Sequence, residues 1–164
     1  MEQNKRIRGI LTNKRMRRKF KANKKVRNAT TKVYKGIKFR SKLELFTYMK
    51  LEDAGIKSLY EKRKFVLMEG FRYEQQSIEP SNKKATKGEF INNTDKVRDI
   101  TYTPDFVDPN GKWVIEVKGF ANDVFPLKWK LFKHMLHHYP DPPILYLPKN
   151  QKQVLETIEL IKEL

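Results

Sequence analysis

The sequence contains no cysteine, which removes disulfide staples, thiolate metal sites and thiol nucleophiles together. The fold must therefore rest on packing. No apolar run approaches the roughly 20 residues that cross a bilayer, and the N-terminus lacks the apolar centre of a signal peptide. The expectation is a soluble, cytoplasmic protein with no membrane partner. Glycine is sparse, 7 in 164 residues, and nowhere forms the Gly-rich loop that cradles nucleotide phosphates. No order of Ser, His and Asp suggests a nucleophilic triad. Acids are nearly missing from the first 42 residues, which hold 17 Lys and Arg against Glu2 alone.

What is present is a strong charge asymmetry. The chain carries +17, yet beyond residue 42 it has 19 basic residues against 18 acidic ones. The length suits one domain, so the expected organisation is a basic arm, 1–38, attached to a near-neutral domain, 39–164. The arm's apolar residues (Ile7, Ile10, Leu11, Met16, Phe20, Val26) are too scattered to bury, so without a ligand it reads as a solvated tail. It has no tryptophan and no sustained apolar stripe, which disfavours a membrane-surface helix. Its densest run, Arg15, Arg17, Arg18 and Lys19, suits nucleic-acid phosphates, whose neutralisation releases counterions and needs no pre-formed structure.

This makes a measurable expectation. An arm that neutralises about six phosphates makes log affinity for duplex DNA fall with log salt at a slope of about −5. A salt titration of binding checks it, and a flat dependence would remove the arm from the interaction.

In the domain, "SKLELFTYMKLEDAG" predicts a helix over about 41–54, with Ser41 as cap, Glu44 three residues later and Gly55 as stop. "KSLYEKRKFVLME" reads as one extended strand with Phe65 and Leu67 on a common face. Residues 71–97 are polar and poorly patterned, giving a strand fragment near 71–79 and then a mobile loop. Alternation over 98–107, a turn at 109–111 and "KWVIEVKG" predict an antiparallel hairpin. Pro126 opens and Pro140 closes a second helix. "PPILYLP" reads as a short buried strand. The last helix, "NQKQVLETIELIKEL", is expected to turn Val154, Leu155, Ile158 and Ile161 or Leu160 inward. The fold class is a mixed α/β domain with one small sheet flanked by helices.

Within the hairpin, Glu116 and Lys118 share a strand face. Alone they would be an ordinary surface ion pair worth little. Asp105, after Pro104 near the end of the neighbouring strand, can come close to Glu116 across the hairpin. Adjacent carboxylates repel unless a positive group lies between them, and a divalent metal with oxygen ligands is the natural candidate. A lysine beside it is a point charge able to orient water or stabilise negative charge on phosphate.

Pro104-Asp105, ten intervening residues and then Glu116-Val117-Lys118 resemble the PD-(D/E)xK nuclease superfamily. More narrowly, "FRSKLE", "YTPDF", "VIEVKGF" and "LKWKLFKHM" look like small phage and prophage proteins related to the bacteriophage Holliday-junction-resolving endonuclease I. The resemblance covers Ser41 to Leu147. It implies a restriction-endonuclease-like core and a metal-dependent DNA endonuclease, with DNA, including branched DNA, as partner and a homodimer as assembly. It further implies Mg²⁺ or Mn²⁺ held by Asp105, Glu116 and the Val117 carbonyl, with Lys118 as catalytic lysine and Glu44 supporting the metal site. Glu44 also reads as a helix-capping side chain. Lys128 and Lys130, with Lys133, on the second helix could hold backbone phosphates or form a solvated face, and Lys42 invites the same two readings. His134, His137 and His138 read as an exposed helix end. Trp113 and Trp129 read as packing residues. The alternative for the whole chain is a non-catalytic nucleic-acid-binding protein driven by the arm.

Overall fold

A computed structural model of the chain describes residues 31–119 and 124–164. Arg15, Arg17, Arg18 and Lys19 of the basic arm lie outside the described residues. A small hairpin, β1 (Lys32–Tyr34) and β2 (Ile37–Phe39), leads into helix α1 (Lys42–Asp53). Ser41 accepts from the Glu44 backbone N–H at 3.1 Å, and Gly55 at φ 70° ends the helix, as the sequence predicts.

The stretch expected to be one strand is divided. β3 (Leu59–Tyr60) and β4 (Phe65–Met68) are separate because Glu61 adopts φ 46° and turns the chain. β4 places Phe65 and Leu67 against the core, while Val66 and Met68 stay exposed. Residues 71–97 are a correction to the sequence reading. In place of a strand fragment near 71–79 followed by a loop, β5 (Ile78–Pro80) pairs antiparallel with β6 (Phe90–Asn92) around one turn of 3-10 helix, Lys84–Thr86. Its pairing rests on backbone and side-chain hydrogen bonds and buries little apolar surface, so the apolar alternation that reveals a strand is absent.

β7 (Ile100–Tyr102) pairs with β4, and β8 (Phe106–Val107) and β9 (Trp113–Ile115) form the expected hairpin. Its turn is held by Asp108, which accepts from Asn110 and Lys112 N–H at 3.1 and 3.0 Å. Gly111 supplies φ 82° there. α2 (Phe125–His137) begins with proline in its first turn, and β10 (Ile144–Tyr146) and α3 (Gln151–Lys162) close the chain.

The central sheet has the order β10-β9-β8-β3. β9 and β10 run parallel and the other pairs antiparallel, so the fold is mixed α/β. Both faces are covered. Phe39, Leu51, Phe106, Trp113, Ile115 and Val117 pack with the buried face of α3. On the other side Tyr102, Val107 and Val114 pack with Phe125, Phe132 and Leu136 of α2.

Two details differ from the amphipathic expectation. β10 is an edge strand with Ile144 exposed. In α3, Val154, Ile158 and Ile161 are buried, whereas Leu155 and Leu160 face out. A helix on a narrow seam buries one stripe and leaves the adjoining apolar positions outside it. Trp113 is buried and Trp129 packs against the second cluster, as expected of packing residues. Among the described residues no helix is long and apolar enough to cross a membrane.

Candidate active site

The hairpin register decides what meets what. Phe106 lies opposite Ile115, so the next pair towards the open end is Asp105 and Glu116. Fully buried Pro104 separates β7 from β8 and precedes Asp105. Alternation sends Ile115 and Val117 into one core and turns Glu116 and Lys118 to the other face. The same parity puts Asp105 on the face of Glu116.

The contacts are short. One Asp105 carboxylate oxygen, Oδ2, accepts from the Val117 N–H at 2.7 Å. Glu116 Oε2 accepts from the Tyr102 hydroxyl at 2.6 Å and the Asp105 N–H at 3.3 Å. Glu116 Oε1 meets Lys118 Nζ at 2.8 Å. Glu44 approaches from α1, its Oε2 accepting from the Tyr60 hydroxyl at 2.7 Å and the Arg40 N–H at 3.0 Å. Asp105 and Glu44 are 7% exposed and Glu116 only 2%, so water screens these charges poorly.

Burial, then the Glu116 charge beside it, pushes the Asp105 carboxyl well above the usual carboxylate range, and Glu44 adds to the effect. Burial acts to lower the Lys118 ammonium, but the Glu116 carboxylate outweighs it and the net shift is upward. Lys118 is therefore a cation at neutral pH. Burial and the Glu116 charge also push the Tyr102 hydroxyl up, which keeps it a donor. Three buried acids thus lie near one ammonium, an excess of acid over base.

That surplus is the test for a divalent cation. Among the described residues no three acidic or histidine side chains converge as a ready-made cage. Mg²⁺ does not need one, because it is commonly held by one or two carboxylates with water and substrate oxygens completing the shell. Asp105 and Glu116, joined through the Val117 backbone, supply hard oxygen donors, and a divalent ion would allow both to ionise side by side. The donor set fits. Glu44 serves as a cap through one carboxylate oxygen while its charge is still felt at Asp105.

Other predicted residues fall in different places. Lys128 is partly buried, and its ammonium donates to the Thr101 carbonyl at 2.9 Å, tying α2 to the strand that carries Tyr102. Lys130 and Lys42 are exposed, and the Lys133 ammonium lies 5.6 Å from the Trp129 ring centroid. Lys118 also sits over the Phe125 ring at 4.9 Å, which places the start of α2 beside the site. His134, His137 and His138 are exposed, and the His138 ring meets the rings of His134 and His137 edge-on.

Tyr102 and Tyr60 were not singled out by sequence reasoning. Each hydroxyl orients one of the acids, and a tyrosine in an apolar run gives no advance sign of its partner. Glu61 was missed as well. Its N–H donates to the Asp105 carbonyl at 2.9 Å from a left-handed backbone, a conformation costing about 1–3 kcal/mol in a non-glycine residue. Arg40 holds the Glu61 side chain at 3.0 Å.

A family model described as "Protein of unknown function (DUF1064)" matches residues 17–153. No curated protein and no solved structure matches the chain.

Proposed function

The chain belongs to the DUF1064 family, whose description names no activity, and we propose from the site itself that it is a metal-dependent DNA endonuclease of the PD-(D/E)xK kind. The observation that carries this reading is the buried Asp105 and Glu116 pair with Lys118 at 2.8 Å from Glu116. Asp105, Glu116 and the Val117 carbonyl would hold Mg²⁺ or Mn²⁺. A bound divalent ion supplies Lewis-acid activation of water and neutralises charge building on the phosphoryl oxygens.

The chain's own residues do the remainder. Tyr102 and Lys118 fix the Glu116 carboxylate by two short contacts, leaving it little rotational freedom. The Val117 N–H fixes Asp105 from below. Lys118, half-sheltered and cationic, is able to orient a water molecule and to stabilise negative charge on a phosphate that arrives at the open end of the hairpin. The basic arm adds phosphate affinity through counterion release. Branched DNA as the preferred substrate, and pairing of two chains across it, rest on the resemblance to junction-resolving endonucleases.

The test is cleavage of a labelled four-way junction beside a linear duplex of matched sequence, with Mg²⁺ and with EDTA. Cutting that requires Mg²⁺ is the expected result, and a preference for the junction would extend it to branched DNA. Binding of both substrates without cutting under either condition would overturn the nuclease reading in favour of a non-catalytic nucleic-acid-binding protein.

A further inference from the structure

The segment from Phe71 to Val97 has no evident role in building the core. It leaves the domain as a continuation of β4 and β7, is joined by the bridge between Phe71 and Val97, and then forms the β5–β6 pair. Gly70 permits the crossing, since a Cβ there would meet the Val97 carbonyl oxygen at 2.5 Å. Asp99 fastens the same point by accepting from the Gly70 N–H at 2.8 Å. Both β5 and β6 are almost wholly exposed. An isolated two-stranded ribbon gains little stability in water from burial.

The tip is nevertheless built. Ser81, 4% exposed, exchanges backbone hydrogen bonds with Glu89 and Gly88. Its hydroxyl meets the Thr86 hydroxyl at 2.8 Å and accepts from the Lys83 N–H at 3.2 Å. This arrangement presents Lys83, Lys84 and Lys87 to solvent with no acid in 80–88, and none of the three is in an ion pair with another described residue. Of the two acids that flank the tip, Glu79 is held by Ser77 and Asn93, and Glu89 accepts the Ser81 N–H through its backbone carbonyl. Along the ribbon, Tyr73, Ile78 and Phe90 are 51%, 57% and 73% exposed.

Cationic tip, exposed aromatic and aliphatic flanks, and two bare faces make a ribbon of the width that enters a DNA groove. Its root is β7, whose Tyr102 bonds Glu116 of the candidate site. Any duplex held by the tip is therefore registered against the carboxylates through the segment that runs from β6 past the Phe71–Val97 bridge into β7.

We propose that the 71–97 ribbon grips double-stranded DNA, inserting its Lys83, Lys84 and Lys87 tip in a groove of the duplex that flanks the phosphodiester presented to Asp105 and Glu116. The position of that duplex rests on the nuclease reading, whereas the affinity does not. A second copy of the chain fits less well, because a lysine tip without acids repels its own kind.

The experiment uses the full chain with Lys83→Ala, Lys84→Ala and Lys87→Ala combined, binding a linear duplex in EDTA across a salt titration. The control combines Lys57→Ala, Lys149→Ala and Lys152→Ala elsewhere on the domain. The ribbon variant is expected to lose about tenfold in affinity at physiological salt and to show a slope shallower by about 2–3, with the control within about twofold of wild type. A slope equal to wild type would overturn the proposal and leave the nuclease reading untouched. A shallower slope in a protein whose wild type never cuts DNA would support the ribbon and sink the nuclease reading. Because the chain has no cysteine, Ala85→Cys can carry a single photo-crosslinker. Crosslinks to DNA are expected, and crosslinks only between protein chains would overturn the assignment.

Discussion

Replacing Asp105 by alanine is expected to slow Mg²⁺-dependent cleavage by about 10³-fold or more, equivalent to about 4 kcal/mol of transition-state stabilisation, while DNA affinity measured in EDTA changes less than about threefold. The asymmetry follows from position. Asp105 is buried at the foot of the hairpin, where it touches no exposed basic surface, so it contributes nothing attractive to a polyanion. Its removal deletes one of two carboxylates available to a metal and the acceptor that fixes the Val117 N–H. Affinity, by contrast, depends on counterion release at Lys and Arg side chains. Single-turnover cleavage on a labelled duplex or junction, with binding measured separately, resolves the two. Cutting by the variant at the wild-type rate would show that Asp105 is not part of the site.

The candidate site was legible because its information is local. Pro104, Asp105, the Pro-Asn-Gly turn and the alternation of Ile115, Glu116, Val117 and Lys118 lie within one hairpin, where register follows from the turn. The observed pairing of Phe106 with Ile115 is the register that brings Asp105 beside Glu116. The first helix was equally legible, since Ser41, Glu44 and Gly55 each leave a distinct local mark.

What was not legible depends on distant partners. Tyr102 and Tyr60 resemble any core tyrosine until the fold places Glu116 and Glu44 beside their hydroxyls. Within 71–97 the sequence shows a strand fragment near 71–79 and hides its partner β6, because the order there comes from Ser81, Asn92 and Asn93 hydrogen bonds, and these residues in sequence signal turns. The break after Tyr60 was hidden for a different reason: Glu61 carries no glycine-like signal, and its left-handed backbone is imposed by the Asp105 carbonyl and by Arg40.

The same carboxylate makes a prediction about stability that needs no activity. Asp105→Asn is expected to be more stable than wild type at pH 7 without metal, by about 1–2 kcal/mol, the range typical when a functional group is held in an unfavourable environment. For a domain of this size that is about 3–6 °C in Tm. The sign follows from linkage. In the unfolded chain Asp105 ionises near the ordinary value of about 3.9. In the folded chain burial and Glu116 hold it protonated to higher pH. Below the unfolded value both states carry the proton, and the substitution changes little. Above it the unfolded state alone releases the proton, so wild-type stability falls as pH rises until the folded-state carboxyl ionises too. Asparagine avoids that loss and can still accept from the Val117 N–H. Mg²⁺ should then reverse the order, because an ion bound only by the folded wild type adds about 2.7 kcal/mol at a concentration 100 times its Kd, and the amide lacks the charge that attracts it. Thermal unfolding at pH 4 and pH 7, with EDTA and with Mg²⁺, measures all of this. A variant less stable than wild type at pH 7 in EDTA would mean that the Asp105 charge is satisfied by its own hydrogen bonds, and the case for a cation between the two carboxylates would fail with it.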